Sequence, residues 1–96
     1  MDRLGRQEAT DLARRIVESG FIETPQHQRD RATERNVTSR DIAHCLAVGR
    51  VAREPEWNDR HQEWRYRFEG EDSEGVELTL IAAFEDEETL VVVTVF

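Results

Sequence analysis

The chain has 96 residues, 38% of them hydrophobic and 35% charged, and a formal net charge of −8. A chain of this length holds one core, so residues 1–96 read as a single domain; the composition is too apolar for a disordered tail and too polar for a membrane span. The acidic balance argues against loose, nonspecific nucleic-acid binding, which rests on basic charge.

Ala9, Leu12, Ala13, Ile16 and Val17 recur at helical spacing, which predicts a first helix from Gln7 to Ser19, ended by Gly20. Thr24 as N-cap and Pro25 as first helical residue predict a second helix running to about Arg35. Thr38-Ser39-Arg40-Asp41 is a capping-box arrangement with Asp in place of Glu or Gln. It opens a third helix that turns Ile42, Cys45 and Leu46 inward and stops at Gly49.

Beyond Gly49 the pattern changes to alternation. Arg50 to Glu54 reads as a short strand, and Pro55, which cannot donate to a ladder, places it at an edge or a bulge. Asn58-Asp59-Arg60-His61 reads as a turn. Trp64, Tyr66 and Phe68 alternate with Arg65, Arg67 and Glu69, the pattern of a half-buried strand with its aromatics inside. After a turn at 71–75, Val76, Leu78, Leu80, Ala82 and Phe84 alternate again, and a second turn at 85–88 leads to Leu90–Phe96. The fold class is therefore α+β: two to three N-terminal helices packed on a four-stranded antiparallel sheet.

The last strand is apolar on both faces. Leu90, Val92 and Thr94 are expected to point one way, and Val91, Val93 and Val95 the other. The second face is covered either by the first helix folding back over it or by a partner, such as a second copy docking through this strand.

All 13 basic residues are Arg. Residues 1–48 balance to zero charge, and the whole acidic excess lies in residues 49–96. A local Arg site in the first half thus remains open, because Arg forks suit phosphate better than a point charge does. The acidic turns lack a calcium-loop pattern, and His44-Cys45 cannot form a tetrahedral site alone, so no metal and no cofactor is implied. The single Cys45 excludes an internal disulfide, and the absence of a charged-then-apolar leader fits a reducing cytoplasm. Asn36-Val37-Thr38 is accordingly not read as a glycosylation acceptor.

His27, Arg31 and Arg35 stand at i, i+4 and i+8 and share one face of the second helix. An imidazole can take or give a proton, and two guanidinium forks can hold a phosphate. A base beside fixed cations is what metal-free RNA cleavage needs. The same stripe also describes a solvated helix face.

His27-x-x-x-Arg31-x-x-x-Arg35, then Val37-Thr38-Ser39-x-Asp41-Ile42, Gly49, Glu63-Trp64-Arg65-Tyr66-Arg67 and the valine-rich end resemble domain-of-unknown-function family 4258. The resemblance runs from about Leu12 to Phe96, with Gln28 and Ala32 standing where the family has Ala and Met. It implies a fold similar to RelE-, MqsR- and BrnT-like toxins, small metal-independent ribonucleases paired with antitoxins. Carried over, His27, Arg31 and Arg35 are the expected catalytic group, and Arg65, Tyr66 and Arg67 the expected substrate-binding strand. RNA and an antitoxin protein are the implied partners. The alternative is a noncatalytic acidic module that binds a protein. Trp64, Tyr66 and Phe68 also read simply as core, and Arg65 and Arg67 as cross-strand ion pairs with Glu63 and Glu69.

Overall fold

The computed structural model describes residues 1–96. Helix α1 (Arg6–Ser19) begins at Gly5, whose N–H is taken by the Glu8 carboxylate at 2.9 Å. Ala9, Leu12, Ala13 and Ile16 form its buried stripe. Thr10 is buried with them: its hydroxyl donates to Arg6 O at 2.8 Å and accepts the Val51 N–H at 3.0 Å. That bond ties α1 to the first strand after the helices. Helix α3 (Ser39–Val48) begins and ends as its residues direct, with Thr38 as N-cap and Gly49 as C-cap.

The remaining elements are β1 (Phe21–Glu23), α2 (Gln26–Glu34), β2 (Arg50–Val51), β3 (Glu56–Asn58), β4 (Glu63–Glu71), β5 (Glu77–Phe84) and β6 (Thr89–Val95). The sheet runs β1-β6-β5-β4-β2, and β3 pairs with β4 alone. The expectation of four antiparallel strands is thus corrected to six in a mixed sheet. Two features account for the difference. Phe21-Ile22-Glu23 is too short to show a period, yet it pairs in parallel with Thr89–Val91. The strand expected over Arg50–Glu54 pairs only at Arg50–Val51, with Glu69 and Phe68, and beyond Pro55 the chain returns to the sheet as β3, paired with Glu63–Arg65, where no strand was expected. Helix α2 starts one residue later than expected, because Pro25 keeps an extended ψ of 153° and serves as its N-cap.

Helices α1 and α3 cover one sheet face, where Tyr66, Phe68, Leu80, Ala82, Leu90, Val92 and Val95 join the core. Tyr66 and Phe68 each meet Phe84 edge-on, with ring centroids 5.2 and 6.4 Å apart. At the end of α3 the backbones come very close. A Cβ on Gly70 would lie 2.9 Å from Gly49 Cα and 3.0 Å from Cys45 O, so only glycine fits there.

Strand β6 departs from strict alternation. Ile81 pairs with Thr94 but Ala82 pairs with Val92, so Val93 is an extra residue, a bulge. Val95 therefore returns to the helix-covered face and is fully buried, while Val91 and Val93 are half-buried outside. The three valines expected on one face are split by this bulge. Nor is β6 an open edge: β1 pairs with its first half and α2 packs beside it.

Candidate functional site

Helix α2 buries only Gln28 and Ala32. At about 100° per residue, Arg29 and Thr33 lie on one flank of that stripe and His27 and Arg31 on the other. Arg29, Ala32 and Thr33 border a wide groove of about 1090 Å³ shared with Ile22 of β1 and Ile42 of α3. His27, Arg31 and Arg35 do not line it. All three are exposed: His27 and Arg31 on the other flank, Arg35 at the C-cap.

Arg35 reaches the sheet. Its Nη1 donates to Val95 O at 3.3 Å. The next residue, Phe96, lies beneath the Arg67 guanidinium, 5.4 Å from carbon to ring centroid. Arg35 and Arg67 thus hold consecutive residues of β6 and its end. No hydrogen bond or ion pair joins His27 or Arg31 to Arg65 or Arg67. His27 Nε2 instead accepts from the Gln28 side-chain amide at 2.8 Å, and Gln28 Oε1 is buried without a partner.

Arg65 and Arg67 project from β4 on the face opposite the helices. A concavity of about 290 Å³ there is lined by Arg53, Glu56, Arg65, Arg67, Ile81 and Thr94, among others. Register explains the grouping, since Arg67 pairs with Ile81 and Ile81 with Thr94 across three strands. Arg65 Nε bonds Glu63 at 3.0 Å, and its Nη2 reaches His61 Nδ1 at 3.1 Å. Arg67 is held more loosely: Glu69 stands 3.8 Å from its Nε, beyond hydrogen-bond reach, and that nitrogen is buried without a partner. The same Glu69 oxygen is 3.8 Å from Arg53. Loosely paired guanidiniums of this kind can turn to a phosphate at little cost.

Tyr66 sits differently. It is 2% exposed on the helix side, and its hydroxyl accepts the Leu4 N–H at 2.9 Å. Burial raises its pKa, while the Leu4 hydrogen bond works the other way. It does not share a face with Arg65 and Arg67. Trp64 packs edge-on to Trp57 with centroids 5.3 Å apart, and Arg3 lies over its ring.

Arg53 lines this concavity, and His61 touches Arg65 from the turn before β4; neither was singled out as a site residue in the sequence. His61 falls in a turn and Arg53 before Pro55, and neither position carries a periodic signal that would group it with β4. Elsewhere, Cys45 donates to Leu78 O at 3.4 Å, and burial pushes its thiol up to about 12. No group of three or more His, Cys, Asp or Glu side chains converges as metal ligands, and no helix is long and apolar enough to cross a membrane.

No curated protein and no solved structure matches the chain. The model of one family, described as "Domain of unknown function (DUF4258)", matches residues 25–96, three quarters of the chain. The matched span takes in α2 with its His-Arg-Arg stripe, α3 and strands β2 to β6, and leaves out α1 and β1. The chain therefore belongs to the DUF4258 family.

Proposed function

We propose that the protein is a metal-independent ribonuclease of the toxin–antitoxin kind, with a fold related to RelE- and MqsR-like toxins and a cytoplasmic site of action. The observation that carries this reading is the junction of Arg35 and Arg67 at Val95 and Phe96. Had α2 packed on the aromatic face, its basic stripe would be sealed away from Arg65 and Arg67. It packs beside β6 instead, and Arg35 of the helix end and Arg67 of the strand meet at Val95 and Phe96, which supports the reading.

In the reaction, the 2′-hydroxyl of RNA loses its proton and its oxygen attacks the adjacent phosphorus. The bond from phosphorus to the 5′-oxygen breaks, that oxygen takes a proton, and a 2′,3′-cyclic phosphate remains. Arg31, Arg35, Arg65 and Arg67 offset the charge that builds on the phosphate. His27 moves one of the two protons. Binding rests on local Arg forks, because the overall charge of −8 repels RNA at a distance.

The test is cleavage of a mixed-sequence RNA in excess chelator by wild type and by His27→Ala. Cleavage by wild type, with a loss of about 10²-fold or more in the variant at unchanged melting temperature, supports the reading. No cleavage by folded wild type overturns it.

A second reading, an acidic module that docks a basic partner, is favoured by one feature. Phe21 is 65% exposed on the three-residue edge strand β1, directly beside the acidic turn at 85–88, where its N–H bonds Glu88 O at 2.8 Å. Under this reading Phe21→Ser abolishes partner capture and leaves any RNA cleavage untouched.

A further inference from the structure

Cleavage through a 2′-oxygen moves two protons: one leaves the 2′-hydroxyl and one arrives at the 5′-oxygen. One imidazole attends to only one of these places at a time, and His27 makes no contact with Arg65 or Arg67. His61 does. It stands in the turn before β4, with Nδ1 3.1 Å from Arg65 Nη2 and 3.1 Å from Asn58 Oδ1.

Those two contacts cannot both be hydrogen bonds in one state. Arg65 can only donate, so its contact requires a lone pair on Nδ1. Asn58 Oδ1 can only accept, so its contact requires a proton on Nδ1. The Asn58 oxygen is fixed in place, because it also accepts the His61 backbone N–H at 2.8 Å. While Arg65 donates to His61, the ring proton sits on Nε2 and the ring has no free lone pair. When Arg65 turns away, Nδ1–H donates to Asn58 and Nε2 presents its lone pair. A ring held through Nδ1–H by an oriented acceptor is the arrangement of a general base.

We infer that His61 is the base that takes the 2′-hydroxyl proton, switched on when a substrate phosphate draws Arg65 off its Nδ1, with Asn58 as its positioning residue. This rests on the ribonuclease reading. The proton of the 2′-hydroxyl passes to His61 Nε2, the new bond forms from the 2′-oxygen to phosphorus, and the bond to the 5′-oxygen breaks. His27 returns a proton to that 5′-oxygen. His61 itself lies outside the concavity of Arg53, Arg65 and Arg67 and reaches it through Arg65, while its positioning residue Asn58 lines it.

Two measurements test this. The first is the rate of RNA cleavage in chelator by wild type, His61→Ala and Asn58→Ala. The expected result is a fall in kcat of about 10²-fold or more for His61→Ala. KM and melting temperature stay unchanged, and the loss for Asn58→Ala is smaller. Wild-type cleavage with kcat of His61→Ala within twofold overturns the His61 assignment and leaves the ribonuclease reading standing. The second is the nitrogen NMR spectrum of the His61 ring in the wild-type protein, with and without a 2′-deoxy dinucleotide that binds but cannot be cleaved. The proton should move from Nε2 to Nδ1 on binding. An unchanged ring at saturating dinucleotide overturns the switch, and failure of the wild type to cleave any RNA removes the inference together with the reading it rests on.

Discussion

Asp41 in the first turn of α3 holds Ser73, 32 residues away in the β4–β5 turn, through both the Ser73 backbone N–H, at 3.0 Å, and its hydroxyl. The other Asp41 oxygen accepts from the Thr38 N–H and hydroxyl. One carboxylate thus closes the helix cap and pins a hairpin turn to it.

These hydrogen bonds, that from the Ser73 hydroxyl foremost, hold the Asp41 carboxyl well below its ordinary 3.8. A carboxyl with a lower pKa in the folded state stabilises the fold above its unfolded value and stops doing so as pH falls through the folded one. The stability difference between wild type and Asp41→Asn should therefore be constant above about pH 5 and shrink steadily below pH 4. Urea titrations across pH 2–7 check this; a difference that grows toward low pH would contradict the assignment.

Gly70→Ala should destabilise by about 1–3 kcal/mol, because the new Cβ meets backbone atoms that cannot rotate aside. In a domain of this size each kcal/mol lowers the melting temperature by roughly 4–8 °C. Gly75→Ala, in a turn at φ +86°, should be penalised for a different reason, its left-handed backbone. Thermal melts of both variants give the comparison.

Cys45 should resist thiol reagents. With its thiol raised to about 12 there is almost no thiolate at pH 8, and the side chain is fully buried. Labelling should be slow in the native protein and complete within minutes in denaturant. Fast native labelling would mean that α3 opens away from β4.

Arg67→Ala should lower cleavage by about 10²-fold, and Arg67→Lys should recover only part of it, since an ammonium keeps the charge but loses the fork. The same change gives up the stacking on Phe96, a loss of only about 0.5–1 kcal/mol. Activity should thus fall far more than stability, measured as kcat beside the melting temperature.

What the sequence made legible depended on the range of the interactions involved. Helix α3 was readable end to end, because Thr38, Asp41 and Gly49 act on their own neighbours. The alternation of β4 and β5 was readable because one face of each is buried. β1 was not, since three residues acquire strand character only by pairing with Thr89–Val91 far along the chain. The Val93 bulge escaped for a related reason: a run of three valines looks the same whichever of them is extra. The stripe of His27, Arg31 and Arg35 was readable as one helix face. Its placement was not, because α2 buries so little that its position follows from β6 and from the groove it shares with α3. Arg65 and Arg67 fall outside the core as the alternation required, while Tyr66 between them faces inward for the same reason.

The place of β6 bears on synthesis. This strand lies inside the sheet, between β1 near the start of the domain and β5 near its end. Until residues 89–91 leave the ribosomal tunnel β1 has no neighbour, and until residue 95 follows Arg35 has no carbonyl to hold. A nascent chain therefore cannot assemble the junction of Arg35 and Arg67, and whatever chemistry that face performs begins only when translation of the domain is complete.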